Sequence, residues 1–205
     1  MQITNLLPSS FGANCYIISD SSHAAVVDPS VSVKGIINYL KENDLTLDYI
    51  ILTHGHFDHM LSLNGLKEET GAPAYIHKDD AENLSDGRKN AFALFFGQNR
   101  TFSPCEKLLS HGDSLPLGGI TLDIIHTPGH TKGGICIKAG NALFTGDTIF
   151  AESYGRCDLY GGDFATLRAS LKYLREYNAG KDLTIYPGHG GEAKLSAALD
   201  VAEYL

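Results

Sequence analysis

No apolar run in the chain approaches the ~18 to 20 residues that a membrane span requires. The longest core-like stretches, such as Tyr49 to Leu52, are strand-sized. The start, Met1-Gln2-Ile3-Thr4-Asn5, has neither a basic region nor a long apolar one, so no secretory signal and a cytoplasmic setting are expected. Cysteine is sparse: Cys15, Cys105, Cys136 and Cys157 form no C-x-x-C pair, which argues against a thiolate metal site or a redox motif and leaves reduced core thiols. Positive charge is short as well. With 16 Lys and Arg against 24 Asp and Glu the formal net charge is −8, and there is no basic run. A phosphate backbone would meet an unfavourable field, so neither nucleic acid nor a membrane surface is an expected partner. Linkers of Gly, Ser and Pro and low-complexity runs are missing too, so the 205 residues read as one domain, 1–205. A chain of this size buries roughly 70% of its unfolded surface and needs no disulfide staples. At 43% hydrophobic and 20% charged residues, disorder and coiled coil are excluded.

What the chain has in excess is glycine, 22 residues, and nine histidines that gather in the same places. Short apolar strands alternate with amphipathic helices, the pattern of α/β layers. Asn14 to Ser19 and Ala24 to Val27 read as a hairpin across the polar turn Asp20 to His23. Asp28-Pro29-Ser30 then reads as the cap of a helix through Val33, Ile36, Ile37 and Leu40. A strand, Tyr49 to Leu52, precedes a helix carrying Met60, Leu61, Leu63 and Leu66 that stops at Gly71-Ala72-Pro73. After a strand ending at His77 come a helix near Asp79 to Leu84 and an aperiodic stretch, Ser85 to Cys105, whose aromatics at Phe92 to Phe96 read as a lid, as core packing or as a subunit contact. Strands follow at Leu122 to Ile125, Ile135 to Lys138, Ala142 to Thr145 and Leu183 to Tyr186, with helices at Phe164 to Tyr177 and Lys194 to Tyr204.

Four of these strands end in a glycine-containing turn that delivers histidine or aspartate. The strings are YIILTHGHFDH (49–59), LDIIHTPGH (122–130), ALFTGD (142–147) and LTIYPGH (183–189). Ligands of α/β sheets bind beyond the carboxyl ends of strands, so four such ends can share one site. His54 and His56 stand two apart in extended backbone and can point to one side. Asp58 falls at the expected N-cap of the next helix, with His59 in its first turn. His130, Asp147 and His189 arrive from distant strands, for a total of five histidines and two carboxylates. A single histidine is ordinarily a hydrogen-bonded structural residue. Packing three histidines and an aspartate into six residues has no structural benefit, and an all-nitrogen-and-oxygen set suits two divalent ions such as zinc, manganese or iron.

The motifs H-x-H-x-D-H, T-P-G-H-T, G-D-T-x-F and P-G-H-G, in this order, resemble the metallo-β-lactamase-fold hydrolases. The likeness is greatest to their short, single-domain glyoxalase II-like (hydroxyacylglutathione hydrolase-like) bacterial members, and it runs from Asn14 to Gly190. It implies a four-layer αββα sandwich with two divalent metal ions, zinc foremost, at one edge between the sheets. His54, His56 and His130 would form the first metal site, Asp58, His59 and His189 the second, with Asp147 bridging. His23, His77, His111 and His126 match no ligand; His126, ending a strand beside His130, is expected to support that ligand.

The chemistry implied is attack of hydroxide on a small thioester of the hydroxyacyl-glutathione type, with Asp58 as catalytic residue orienting the nucleophile. A thiolate leaves without a dedicated proton donor, because a thiol's pKa is only about 8.5. Residues 152–163 resemble the family's G-R-T-D-L-P-G-G-D segment, with Cys157 and Tyr160 in place of its threonine and proline. There, Tyr154 and Arg156 are the expected substrate-binding residues, Arg156 gripping a carboxylate or pairing with Asp158. The helical domain that holds glutathione in larger relatives is not expected, because little chain follows Gly190. The alternatives are an iron persulfide dioxygenase using only His54, His130 and Asp147, a lactone or other ester hydrolase, and a non-catalytic metal-binding protein.

Overall fold

A computed structural model describes residues 1–6, 12–181 and 183–203. The first sheet is assembled from β1 (Gln2–Leu6), β2 (Cys15–Asp20), β3 (His23–Val27), β4 (Thr46–Ile51), β5 (Ala74–His77) and β6 (Lys107–Leu109), side by side in that order. β1 to β3 are antiparallel and β3 to β6 parallel. The parallel steps are bridged by α1 (Val33–Glu42), α2 (Leu63–Thr70) and the short α3 (Phe92–Phe96). The second sheet holds β7 (Ser114–Leu117), β8 (Ile120–His126), β9 (Ile135–Ala139), β10 (Ala142–Gly146), β11 (Thr184–Pro187) and β12 (Ala193–Lys194). The helix α4 (Phe164–Asn178) carries the chain across from β10 to its parallel neighbour β11, and α5 (Leu195–Glu203) follows β12.

Alternation along the strands divides the core. Ile17, Val26 and Ile50 face outward onto Ile36 and Leu40 of α1 and Leu63 and Leu66 of α2. Their neighbours Ile18, Val27 and Ile51 face the other way, onto Ile124, Ile137 and Phe144 of the second sheet. On that sheet's far side Leu143 and Ile185 meet Leu174, Leu195 and Leu199 of α4 and α5. The result is the expected four-layer αββα sandwich. Among the described residues no helix is long and apolar enough to cross a membrane.

Several local expectations shift. Ser32, not Asp28-Pro29-Ser30, caps α1, its hydroxyl accepting the Gly35 N–H at 3.2 Å. Met60 and Leu61 precede α2, and Asp58 and His59 lie instead in a 3-10 turn, Phe57–His59. The expected helix near Asp79 is a 3-10 segment, Lys78–Ser85. The last helix starts at Leu195, and its expected end, Tyr204, lies outside the described residues. All four cysteines are free, yet only Cys15 and Cys136 are core residues; Cys105 and Cys157 are partly exposed. The strands β1, β6, β7 and β12 have no counterpart in the sequence reading, being short or at sheet edges, where the apolar alternation is weak.

Candidate metal centre

Backbone hydrogen bonds tie the strand ends in pairs: Thr127, just past β8, donates to the Gly134 carbonyl at 2.8 Å, and the segment leaving β4 meets the start of β9 as the segment leaving β11 meets the end of β10. Ile135 donates to the Thr53 carbonyl at 2.9 Å and Gly188 to that of Gly146 at 2.8 Å. Within this frame the sequence-predicted donors converge. His56 Nδ1 lies 3.1 Å from His54 Nε2 and 2.9 Å from His130 Nε2. His59 Nε2 stands 3.3 Å from Asp147 Oδ1 and 3.8 Å from Asp58 Oδ2, and His189 Nε2 is 3.2 Å from Asp58 Oδ2. Asp147 lies between the two groups, its Oδ2 3.6 Å from Nε2 of both His130 and His189.

Hydrogen bonds on the far side of the rings decide which nitrogen faces inward. Asp28 accepts the Thr53 N–H at 2.8 Å and the Thr53 hydroxyl at 2.7 Å, and its Oδ2 also takes His59 Nδ1–H at 2.8 Å. With its proton given to Asp28, the Thr53 oxygen accepts from His54 Nδ1 at 3.1 Å. His130 Nδ1 donates to the Arg156 carbonyl at 2.6 Å. The Nδ1 protons therefore sit outside and Nε2 of His54, His59 and His130 faces inward, the orientation of metal-bound imidazoles. Asp80, buried beside them, ties two ligand-bearing loops: its carboxylate accepts Gly55 N–H at 2.9 Å, the Thr131 hydroxyl at 2.7 Å and Gly133 N–H at 2.7 Å.

Electrostatics sharpens the pattern. Burial, then neighbouring His130, pushes the His56 imidazole down to about 3, and burial with His59 and His130 holds His54 well below its ordinary value. Both are neutral at physiological pH and offer lone pairs. Burial also opposes charge on His59, but Asp147, Asp28 and Asp58 together outweigh it and raise its pKa well above normal. His59 Nε2 and Asp147 Oδ1 are buried and have no hydrogen-bond partner. Nitrogens held 2.0–2.1 Å from a tetrahedral ion stand about 3.4 Å apart. The spacing of His54, His56 and His130, the inward lone pairs and the orphaned Asp147 oxygen all fit a cation. The donor sets are His54, His56 and His130; Asp58, His59 and His189; and His54, His59 and Asp147, which straddles them.

The backbone must come very close for this. At Gly188 a Cβ would lie 2.3 Å from Asp147 Oδ1 and 2.6 Å from His59 Cε1, so no larger residue fits. A cavity of about 1210 Å³ opens onto the centre, with His56, Asp58, His130, Asp147 and His189 in its wall. Tyr154 and Arg156 line it too, and the Arg156 guanidinium is clamped by Asp158 through two 2.6 Å bonds. His126 does not support a ligand: it donates to the Lys132 carbonyl at 2.8 Å and stacks on His77 with centroids 4.0 Å apart. Its strand-end position is right, but the side chain faces away. The residues that do orient ligands, Asp28 and Asp80, carry no sequence signal, because their partners lie 25 or more positions away.

Residues 10–189 match the metallo-beta-lactamase superfamily. The chain is 30% identical to the probable metallo-hydrolase YqgX of Bacillus subtilis over 94% of its length and 92% of the relative's. It is 31% identical to the hydroxyacylglutathione hydrolase GloC of Haemophilus influenzae over 93% and 91%. The crystal structure of the B3 metallo-beta-lactamase BLEG-1 superposes with a TM-score of 0.89 at 29% identity, covering 97% of each chain. Fold, converging donors and these relatives together show that the chain belongs to the metallo-beta-lactamase superfamily and is a metal-dependent hydrolase.

Proposed function

We propose that this protein is a dinuclear thioester hydrolase, with esters of the hydroxyacyl-glutathione type as the reference substrates, and that His54, His56, Asp58, His59, His130, Asp147 and His189 hold its two ions. The observation that carries the reading is the centre itself: seven donors from four strand ends, oriented from behind by Asp28, Thr53 and the Arg156 carbonyl. Two divalent ions there would bring the pKa of a water from 15.7 toward about 7 and draw charge from a carbonyl oxygen. Asp58 both lines the cavity and reaches His189, so it can orient a water at the edge of the centre. Burial opposes its ionisation, but His59 and the His189 bond outweigh burial and keep its carboxyl below the ordinary value. It therefore stays an acceptor at neutral pH.

The leaving group favours a thioester. Among the described residues lining the cavity there is no lysine, the Arg156 guanidinium is engaged by Asp158, and Tyr154 is the remaining proton donor of any reach. A thiolate departs without such help, whereas an amine needs protonation. The likeness to GloC supports the same class. A mononuclear iron dioxygenase built on His54, His130 and Asp147 would leave His56, Asp58, His59 and His189 without a role.

Protein reconstituted with zinc, iron or manganese, with metal quantified, should bind two ions per chain and release thiol from S-lactoylglutathione or other thioesters. Asp58→Ala should lose most turnover and bind the second ion more weakly. One iron per chain with oxygen consumption on a persulfide would favour the dioxygenase, release from lactones or β-lactams alone would move the substrate class, and two ions without any turnover would refute the enzyme assignment.

A further inference from the structure

One side of the cavity is aromatic. Phe57, placed between the donors His56 and Asp58, is packed by the rings of α3: centroids stand 5.3 Å away at Phe92, 5.8 Å at Phe95 and 5.6 Å at Phe96. Phe57 and Phe92 join the core, whereas Phe95 and Phe96 line the cavity while staying 55% and 47% exposed. Left-handed residues at both ends, Ala91 at φ 68° and Gly97 at φ 67°, bracket the helix and fix this presentation. The charges around the cavity oppose an anionic ligand away from the centre. Asp58, Asp147, Glu152 and Glu192 line it, and Arg156, clamped by Asp158, is the one arginine or lysine among the described lining residues. Half-exposed phenyl rings that share a cavity with a reactive centre are surface for a substrate to cover.

We propose that Phe57, Phe95 and Phe96 form a subsite for an unbranched apolar chain of the thioester, so that apolar uncharged thioesters are better substrates than S-lactoylglutathione. This rests on the thioesterase reading and narrows it. The chain can belong to the acyl group or to the thiol; both present the same methylenes to the wall. Each buried methylene multiplies binding about four-fold, so three raise it roughly 60-fold.

Two series of uncharged thioesters test this on the metal-loaded protein by kcat/KM, one lengthening the acyl group from acetyl to octanoyl on N-acetylcysteamine, the other lengthening an alkyl thiol on an acetyl group. Calorimetric Kd values for carboxylates from acetate to octanoate read the acyl arm without turnover. The expected result is a rise of about four-fold per methylene in one arm, flattened by Phe95→Ala and by Phe96→Ala and preserved in Leu94→Ala, whose side chain on the same helix is 67% exposed and outside the cavity lining. Both aromatic positions are solvent-facing, so their truncation leaves folding intact. No chain-length dependence in any arm, a slope that survives both phenylalanine variants, or a preference for S-lactoylglutathione would overturn the subsite. A steep carboxylate series without turnover on any thioester would instead uphold the subsite and refute the thioesterase reading.

Discussion

Replacing Asp80 tests whether the metal centre is held from behind. Its side chain is 1% exposed and accepts three hydrogen bonds, from Gly55 N–H, Thr131 Oγ and Gly133 N–H. In Asp80→Ala the two backbone donors lose their acceptor in a dry interior, at about 1–3 kcal/mol each. Part of that loss is offset, because a buried carboxylate is itself costly: burial outweighs the three bonds and raises the Asp80 pKa. A net destabilisation of about 3 kcal/mol follows. Asp80→Asn keeps one accepting oxygen but turns an NH₂ toward a donor, and should fall between wild type and alanine. The sign with pH follows from the raised value. The folded state holds this proton more tightly than the unfolded chain, so the Asp80 contribution is largest in acid and is lost as pH rises through the folded pKa; Asp80→Asn should lack that component. Urea unfolding of metal-free protein measures the stability. Competition with a chelator measures ion affinity, expected to fall 10- to 100-fold because the Gly55 loop carries His54 and His56 and the Thr131 loop carries His130. Stability within 0.5 kcal/mol of wild type, or unchanged ion affinity in Asp80→Ala, would refute the reasoning.

Asp28→Asn, which suits the left-handed backbone there (φ 54°), should free the tautomers of His59 and, through the Thr53 hydroxyl, of His54, and weaken ion binding by 10- to 100-fold, as read by metal titration. Gly188→Ala would drive a methyl into Asp147 and His59; metal analysis should show loss of one or both ions with the circular dichroism of the fold retained. Asp163 caps α4 by accepting the Thr166 N–H at 2.7 Å, which holds its carboxyl below the usual value. Its contribution is present above the unfolded pKa and lost as pH falls through the folded one, so acid unfolding should show a smaller pH dependence in Asp163→Asn.

Strand and helix identity in the interior was legible because alternation and helical spacing are local properties: Ile17 and Ile18 already announce opposite faces, and Leu63 and Leu66 one helix stripe. The donors were legible for a different reason. Their residue types have few structural uses in such density, and each sits just past a strand beside a glycine. In sequence Asp58 reads as a helix cap because an aspartate before an apolar helix ordinarily caps it; the 3-10 turn instead aims it at His189. Asp28 likewise has the sequence position of a cap, although its oxygens go to Thr53 and His59. The aromatic run at Phe92 to Phe96 was ambiguous between lid, core and contact, and it divides, Phe92 inward and Phe95 and Phe96 onto the cavity.

The α/β class, the chemistry of the donors and the absence of sulfur ligands follow from the amino acids alone, since periodicity and side-chain type travel with the chain, whereas the four-layer order was implied by the family resemblance. Which ring nitrogen faces the centre and which carboxylates hold it there were decided by tertiary contact, because hydrogen bonds between residues 25 to 53 positions apart exist only once the two sheets have closed on each other.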